Sequence, residues 1–376
     1  MMLLDAKRVK ENIERRVSDD ILSGRVGGAA VLVKQSGRVI YKNCFGNASS
    51  EKALSEDAIF RLASMTKPIT AVAVMKQIER GLVSLDDTLD KFLPEYAEME
   101  LARVVDGELE IIGNAKNKVK ILHLLTHTSG IGCGAVGDIV GRDIVRKYGY
   151  GLKDVAKEYA SKPLSFEPYS AQAYSPWVAF DLLARVVEIT SGMAYDEFLQ
   201  KEIFEPLGMC DTTFAPSDEQ WGRMVLMHKF DGASGSFAPL DKGYVFGGFP
   251  LTYFCAGAGL ASTISDYEKF ADMLLKEGES RDGFRILSAE SVRRMRTVSI
   301  PQEIMRYREM WGLSMRVITD PAYTLPTGSF GWSGAYGTHF WIDHENEIVG
   351  IYMKNSSFDG GSGALTAANF EKDVYL

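Results

Sequence analysis

The sequence has few cysteines, no long apolar run and no excess of positive charge. Four of its 376 residues are cysteine, and without any C-x-x-C pair they favour free thiols over disulfides or a metal site (Cys44, Cys133, Cys210 and Cys255). The net charge of −8 argues against nucleic acid or an anionic membrane as a partner. No segment approaches the ~20 apolar residues of a membrane span, and MMLLDAKRVKENIERR lacks the apolar core of a signal peptide. We therefore expect a soluble, cytoplasmic protein that binds neither nucleic acid nor membrane.

Apolar patterning predicts strands at both ends of the chain and helices between them. Predicted helices cover residues 7–23, 64–80, 120–126, 175–191, 195–204 and 265–277. Predicted hairpins cover AAVLVKQSGRVIYKNCFG, which turns at Ser36-Gly37, and the pair 338–343 and 347–353, with further strand signals in WGLSMRVI and FGWSGAYGTHFWID. This order indicates an α+β fold. One antiparallel sheet would come from residues 1–60 and 261–376, and a mainly helical lobe from residues 61–260, with a cleft between them.

The stretch RLASMTKPITAVAVMKQIERG, residues 61–81, reads as a helix that is apolar on nearly every side. Ser64 and Lys67 lie one turn apart on the same face at its start. A serine needs a neighbouring base to become a nucleophile, and burial favours the neutral amine that can serve as that base. The N–H groups at a helix start also favour an oxyanion. The pattern thus makes Ser64 a candidate nucleophile and Lys67 its base.

A second S-x-x-K run shows that the spacing alone is weak evidence. Residues Ser49 to Lys52 match the same pattern, but they lie in the polar stretch NASSEKALSED, which is typical of a solvated loop. Only the copy at 64–67 opens a buried helix. The context of the motif, and not its spacing, therefore selects Ser64.

Four longer blocks make the sequence resemble the serine β-lactamase and penicillin-binding-protein superfamily. They are FRLASMTKPITAVAVMKQIERGLVSLDDTLDKFLPEY, ILHLLTHTSGI, FEPYSAQAYSPWVAFDLLARVVEITSG and GAGLASTISDYEKFADMLL. The chain is most similar to its class C β-lactamases, D-alanyl-D-alanine carboxypeptidases and family VIII carboxylesterases. The resemblance implies a β-lactamase/transpeptidase-like fold and an acyl-enzyme mechanism without a cofactor or a metal.

The resemblance also assigns roles to the first two motifs. Ser64 would be acylated, Lys67 would help to activate it, and Tyr174 would relay protons as the tyrosine of a Tyr-x-Asn motif. Pro176 stands where the family has the asparagine, so no side-chain amide is present there to hold a substrate amide or to orient the lysine. A literal Tyr-x-Asn at Tyr41 lies in the early hairpin and is taken as a chance match.

The third motif of the family, Lys-Thr-Gly or His-x-Gly, corresponds here to Trp332-Ser333-Gly334. These residues would bind substrate, with Gly334 allowing close approach to the backbone. The N–H groups of Ser64 and Ala335 would form the oxyanion hole. Tryptophan cannot pair with a substrate carboxylate as lysine does, and related esterases and acyltransferases carry it here, so the motif favours uncharged acyl esters.

Three histidines are further candidates for a functional role. His123 and His127 are four residues apart on a predicted helix, which is a metal-ligand spacing, but no third ligand accompanies them and their block is structural in the family. His339 follows the third motif, and period-two counting does not decide which face it takes. We therefore expect no metal site.

Together these features predict a serine hydrolase that acts through an acyl-enzyme on a small-molecule acyl ester or amide. The preferred activity is a carboxylesterase for short-chain or uncharged acyl esters. Three alternatives stay open: a β-lactamase or D-alanyl-D-alanine carboxypeptidase or D-aminopeptidase, an acyltransferase, and a non-catalytic penicillin-recognising protein. The intact serine, lysine and tyrosine argue against the last, and the missing asparagine and lysine argue against the first.

Overall fold

The computed structural model describes residues 2–142, 149–238, 252–305 and 310–376. Its α-helices are α1 (Ala6–Leu22), α2 (Thr66–Glu79), α3 (Ile121–Leu125), α4 (Gly134–Arg142), α5 (Leu152–Tyr159), α6 (Val178–Ser191), α7 (Tyr195–Leu199), α8 (Glu205–Leu207), α9 (Asp218–Arg223), α10 (Ile264–Leu275), α11 (Ala289–Met295) and α12 (Leu365–Tyr375). Its strands are β1 (Gly28–Gln35), β2 (Arg38–Gly46), β3 (Ile59–Arg61), β4 (Glu100–Val105), β5 (Glu108–Asn114), β6 (His228–Lys229), β7 (Ser236–Phe237), β8 (Ala261–Thr263), β9 (Met310–Trp311), β10 (Arg316–Val317), β11 (Phe330–Ser333), β12 (His339–Asp343) and β13 (Ile348–Met353).

Seven strands form one antiparallel sheet in the order β2-β1-β13-β12-β11-β10-β9. The first hairpin turns at Ser36 and Gly37, whose φ angles of 48° and 77° are those of a turn that matches the twist of its strands. The sheet joins the two ends of the chain because β1 pairs with β13. The predicted α+β fold with a sheet from both chain ends is confirmed, whereas the lobe boundaries at residues 60 and 260 stay a prediction.

The two faces of the sheet bury different helices. Alternate side chains point to opposite faces of a strand, and Trp341 of β12 packs with Val9 and Ile13 of α1 and with Phe370 of α12. The neighbouring Phe340 points the other way and packs edge-on against Tyr267 of α10, with ring centroids 5.0 Å apart. The sheet is therefore covered by α1 and α12 behind and by α10 and the main core in front.

The sequence analysis missed several elements of secondary structure. The hairpin of β4 and β5 lies in the region predicted to be mainly helical, and helices α4, α5, α9, α11 and α12 were not predicted. Most residues of β5 are exposed, so its sequence lacks the alternation that burying one face would impose. The predicted helix at 64 begins as a single 3₁₀ turn at Ala63–Met65, and α2 starts at Thr66.

No helix in the described part of the chain is both long enough and apolar enough to span a bilayer.

Packing of β13 against β12 gives a test of the fold. A Cβ atom on Gly350 would overlap the ring of Trp341, its cross-strand partner. We expect Gly350→Ala to lower the free energy of unfolding by ~1–3 kcal/mol, as overpacking of a core does. The matched control is Gly222→Ala in α9, where a Cβ would contact nothing, and it should raise the free energy slightly, by up to about 1 kcal/mol. Urea unfolding measures both, and a Gly350→Ala protein as stable as the wild type would contradict this packing.

Candidate active site

The nucleophile candidate sits in a tight turn between β3 and α2. The N–H of Leu62 donates to the carbonyl of Leu260 over 2.9 Å, which ties the end of β3 to the strand beside it. Ala63 then adopts a φ of 47°, a left-handed conformation that is uncommon for a residue other than glycine. Ser64 follows in the 3₁₀ turn and lines a cavity of about 330 Å³. The turn therefore presents Ser64 to an open space at the start of a buried helix.

Lys67 lies one turn later and is fully buried. Its Nζ lies 2.6 Å from the carbonyl oxygen of Pro176, 2.8 Å from that of Gly257 and 3.4 Å from Ser64 Oγ. The same atom lies 4.8 Å from the ring centre of Tyr174. Three oxygens and an aromatic face thus surround the amine, which compensates for the loss of water.

The carbonyl of Gly257 is held in place from α6 and α2. Asp181 of α6 accepts hydrogen bonds from the N–H of Ala256, over 2.9 Å, and from the hydroxyl of Tyr253. Thr70 of α2 donates to the carbonyl of Ala256 over 2.7 Å. The bonds to the N–H and to the carbonyl of Ala256 fix the residue before Gly257. They thereby orient the Gly257 carbonyl toward Lys67.

The backbone carbonyl of Pro176 helps to orient Lys67. Proline offers no side-chain amide to orient the lysine, yet its backbone carbonyl makes the shortest contact with Lys67 Nζ. Any residue has such a carbonyl, so the sequence gives no signal for this contact. The lysine is therefore oriented without the asparagine of the family motif.

Tyr174 and Trp332 meet on one wall of the cavity. The indole N–H of Trp332 donates to the Tyr174 hydroxyl over 3.3 Å. Trp311 packs edge-on against Trp332, with ring centroids 4.5 Å apart, and lines the same cavity. The structure thus brings Ser64, Lys67 and Tyr174 together, and it places an aromatic donor where the family has a cation.

The other residues in and after the third motif differ in how they lie relative to the cavity. Ala335 lines the cavity with Ser64, and Ser333 also borders it, but the Ser333 hydroxyl bonds to His339 on the other face of the sheet. A Cβ on Gly334 would overlap the carbonyl of Leu62 and the side chain of Thr338. The glycine therefore allows β11 to approach the segment before Ser64, and its open side faces protein and not substrate.

His127 is a cavity residue that the sequence reading treated as structural. Its Nδ1 accepts the N–H of Ser175 over 3.1 Å, and its ring lies 4.4 Å from that of Tyr174. Burial, and next the charge of Lys67, hold the pKa of His127 well below its usual value, so the ring is neutral near pH 7. Gln172 lines the cavity beside it, and no signal in the sequence marked Gln172 or Trp311.

The metal spacing of His123 and His127 does not survive in the structure. Helix α3 ends at Leu125, and His127 lies beyond it with a φ of 58°. His123 instead stacks on Tyr169, with ring centroids 5.2 Å apart. Among the residues that the structure describes, no group of three or more His, Cys, Asp or Glu side chains could hold a metal ion.

Comparison with known proteins gives this geometry its context. The family model described as Beta-lactamase matches residues 9–370. The chain is 28% identical over 394 residues to Esterase EstB of Burkholderia gladioli, covering 97% of this chain and 95% of that protein. It is 28% identical over 392 residues to Lovastatin esterase of Penicillium rubens, covering 94% and 95%.

A solved structure extends the comparison to the fold. EstCE1, described as a hydrolase with promiscuous acyltransferase activity, superposes with a TM-score of 0.82 at 24% identity and covers 99% of both chains. The family model and the superposition each span nearly the whole chain, which confirms the resemblance seen in the sequence. The chain belongs to the beta-lactamase family and has the fold of its hydrolases.

Proposed function

We propose that the chain is a serine esterase that hydrolyses uncharged acyl esters through an acyl-enzyme on Ser64. The contact between Trp332 and Tyr174 carries this proposal, because it puts a neutral indole at the position from which a lysine would bind a substrate carboxylate. None of the described residues that line the cavity is a lysine or an arginine. Its walls are largely aromatic side chains and glycine backbone, which suit a neutral ester.

Proton transfer from Ser64 fits the contacts of Lys67. An ammonium group has three N–H donors, which match the two carbonyls and Ser64 Oγ. A neutral amine keeps two donors for the carbonyls and turns its lone pair to the serine hydroxyl. Lys67 can therefore accept the Ser64 proton and return it without a change in the position of its Nζ.

The rest of the cycle follows from the other side chains. Ser64 Oγ attacks the ester carbonyl, and the N–H groups of Ser64 and Ala335 would stabilise the oxyanion. Tyr174 passes a proton to the leaving alkoxide, and the indole N–H of Trp332 favours the negative charge that this transfer leaves on the Tyr174 oxygen. Water then attacks the acyl-enzyme and gives one proton to the Tyr174 oxygen. Lys67 returns its proton to Ser64 Oγ as the acid leaves.

The nucleophile assignment is tested by paired serine variants. We expect Ser64→Ala to abolish hydrolysis of p-nitrophenyl butyrate and covalent labelling by a fluorophosphonate, since in the described part of the chain no other serine opens a buried helix beside a lysine. Ser49→Ala, at the start of the second S-x-x-K run, should change neither. Intact-protein mass spectrometry reads the labelling, and a labelled Ser64→Ala protein would refute the assignment.

The proton-transfer residues are tested by their effect on turnover. Lys67→Ala and Tyr174→Phe should each lower kcat for p-nitrophenyl butyrate by at least ~100-fold, the size of a lost general base or acid. Tyr41→Phe, in the other Tyr-x-Asn sequence, should keep the wild-type value. Steady-state kinetics give these numbers, and near-normal turnover by Tyr174→Phe would show that another group carries the proton.

Substrate class is tested by measuring an ester and a β-lactam side by side. A carboxylate would lose water here without gaining a cationic partner, whereas a neutral ester avoids that cost. We expect kcat/KM for p-nitrophenyl butyrate to exceed that for nitrocefin by at least ~100-fold, or ~2.7 kcal/mol of discrimination. Trp332→Lys should narrow the difference, mainly through loss of ester activity. If nitrocefin is the better substrate of the wild type, a β-lactamase replaces the esterase.

A further inference from the structure

Apart from the site around Ser64, a hydroxyl, an imidazole and a carboxylate form a hydrogen-bonded group behind the strand that carries Trp332. Ser333 Oγ lies 2.7 Å from His339 Nδ1, and His339 Nε2 lies 3.1 Å from Glu371 Oε1. The guanidinium of Arg316 also donates to Glu371. These four side chains connect β10, β11, β12 and α12, and each residue is at most 5% exposed.

The direction of the side chains rules out a second nucleophile. Trp332 points into the cavity, so its neighbour Ser333 points to the opposite face of the sheet. His339 is the cross-strand partner of Ser333, and Trp341, on the same face as His339, packs against Phe370 of α12. The hydroxyl, the imidazole and the carboxylate therefore meet on the face of the sheet that α12 covers, opposite to the ring of Trp332.

The hydrogen bonds of this group start from the carboxylate. Burial alone would raise the pKa of Glu371, but the hydrogen bond from His339 and the charge of Arg316 outweigh it and lower that pKa to about 2, so Glu371 is an ionised acceptor near neutral pH. His339 must then donate from Nε2, which fixes the orientation of the ring. Its Nδ1 therefore faces Ser333 Oγ, and the two atoms share one hydrogen bond.

Ser333 and His339 are the last paired residues of β11 and β12, and the bond between their side chains lies at the base of the tight turn that joins the two strands. In that turn the N–H of Gly334 donates to the carbonyl of Thr338 over 2.7 Å, and the N–H of Gly337 donates to that of Gly334 over 3.0 Å. Ala335 lies inside the turn. The Thr338 hydroxyl donates to the carbonyl of Leu62 over 2.8 Å, which fixes the turn to the segment before Ser64.

We propose that His339 and Glu371 are positioning residues that act through Ser333 to hold the turn carrying the Ala335 N–H at the distance an oxyanion requires. The inference rests on the proposed function, because the Ala335 N–H has this role only if Ser64 forms an acyl-enzyme. Neither residue touches the substrate. Their effect passes from a helix at the back of the sheet to the cavity at its front.

The test compares mild variants of this group with a matched ion pair on the same helix. Ser333→Ala and Glu371→Gln should each lower kcat/KM for p-nitrophenyl butyrate by about tenfold, a fraction of the loss of one oxyanion donor. Each should weaken inhibition by an alkyl boronic acid, whose tetrahedral adduct needs the same donor, by a similar factor. Asp373→Asn in α12 breaks the contact with Arg16 of α1, at 2.6 and 2.9 Å, and should leave both values within about twofold.

The double variant Ser333→Ala/Glu371→Gln separates positioning from general loss of structure. The losses caused by residues that act through one chain of contacts do not multiply. The kcat/KM of the double variant should therefore be no lower than that of the less active single variant. Two results would overturn the inference and leave the esterase proposal intact. In the first, the kcat/KM losses of the two single variants multiply in the double variant. In the second, the wild type hydrolyses the ester and the single variants are no more affected than Asp373→Asn. A wild type without ester hydrolysis or boronate binding would instead overturn the proposed function. If Glu371→Gln does not fold, Ser333→Ala alone still decides.

Discussion

The amine of Lys67, enclosed by three oxygens, is the contact on which the candidate site depends. Burying a charged amine costs several kcal/mol unless its hydrogen bonds are replaced. The replacements come from three separate parts of the chain: Ser64 on the turn before α2, Pro176 before α6 and Gly257 before β8. Helix α2 can therefore be buried only when these segments have met. The contact that we propose to activate Ser64 is the same one that holds together the segments around it.

Side chains of the candidate site could be predicted from the sequence where a motif marks them, whereas its backbone contacts could not. Ser64 and Lys67 could be predicted because a local pattern, a buried helix with a hydroxyl and an amine at its start, carries the signal. Tyr174 and Ala335 came from the family resemblance. The carbonyls of Pro176 and Gly257 could not be predicted, since every residue has a carbonyl and only tertiary structure decides where it points. The same limit applies to Gln172 and Trp311, which reach the cavity from segments without a recognisable motif.

Residue spacing alone was insufficient wherever strand register or the exact end of a helix mattered. His123 and His127 have a helical spacing, but the helix stops between them and His127 takes a left-handed conformation. Ser333 and His339 could be assigned to a face only once their pairing across β11 and β12 was known. The antiparallel sheet itself was predicted because the apolar runs of its central strands, which are buried along their whole length, need no such detail. The largely exposed hairpin of β4 and β5 has no comparable run.

The pairing of β1 with β13 also affects how the protein is made. Ala30 and Met353 are cross-strand neighbours, so the sheet closes only after residue 353 has left the ribosome. Until then the edge of β1 that will meet β13 is unpaired, and such an edge is a template for pairing with other chains. Contacts this distant in sequence also slow folding, because a long loop must close before they form. A nascent chain that already contains Ser64 and Lys67 thus has no complete cleft until Trp332 and residues 360–362, which line the same cavity, have also been made.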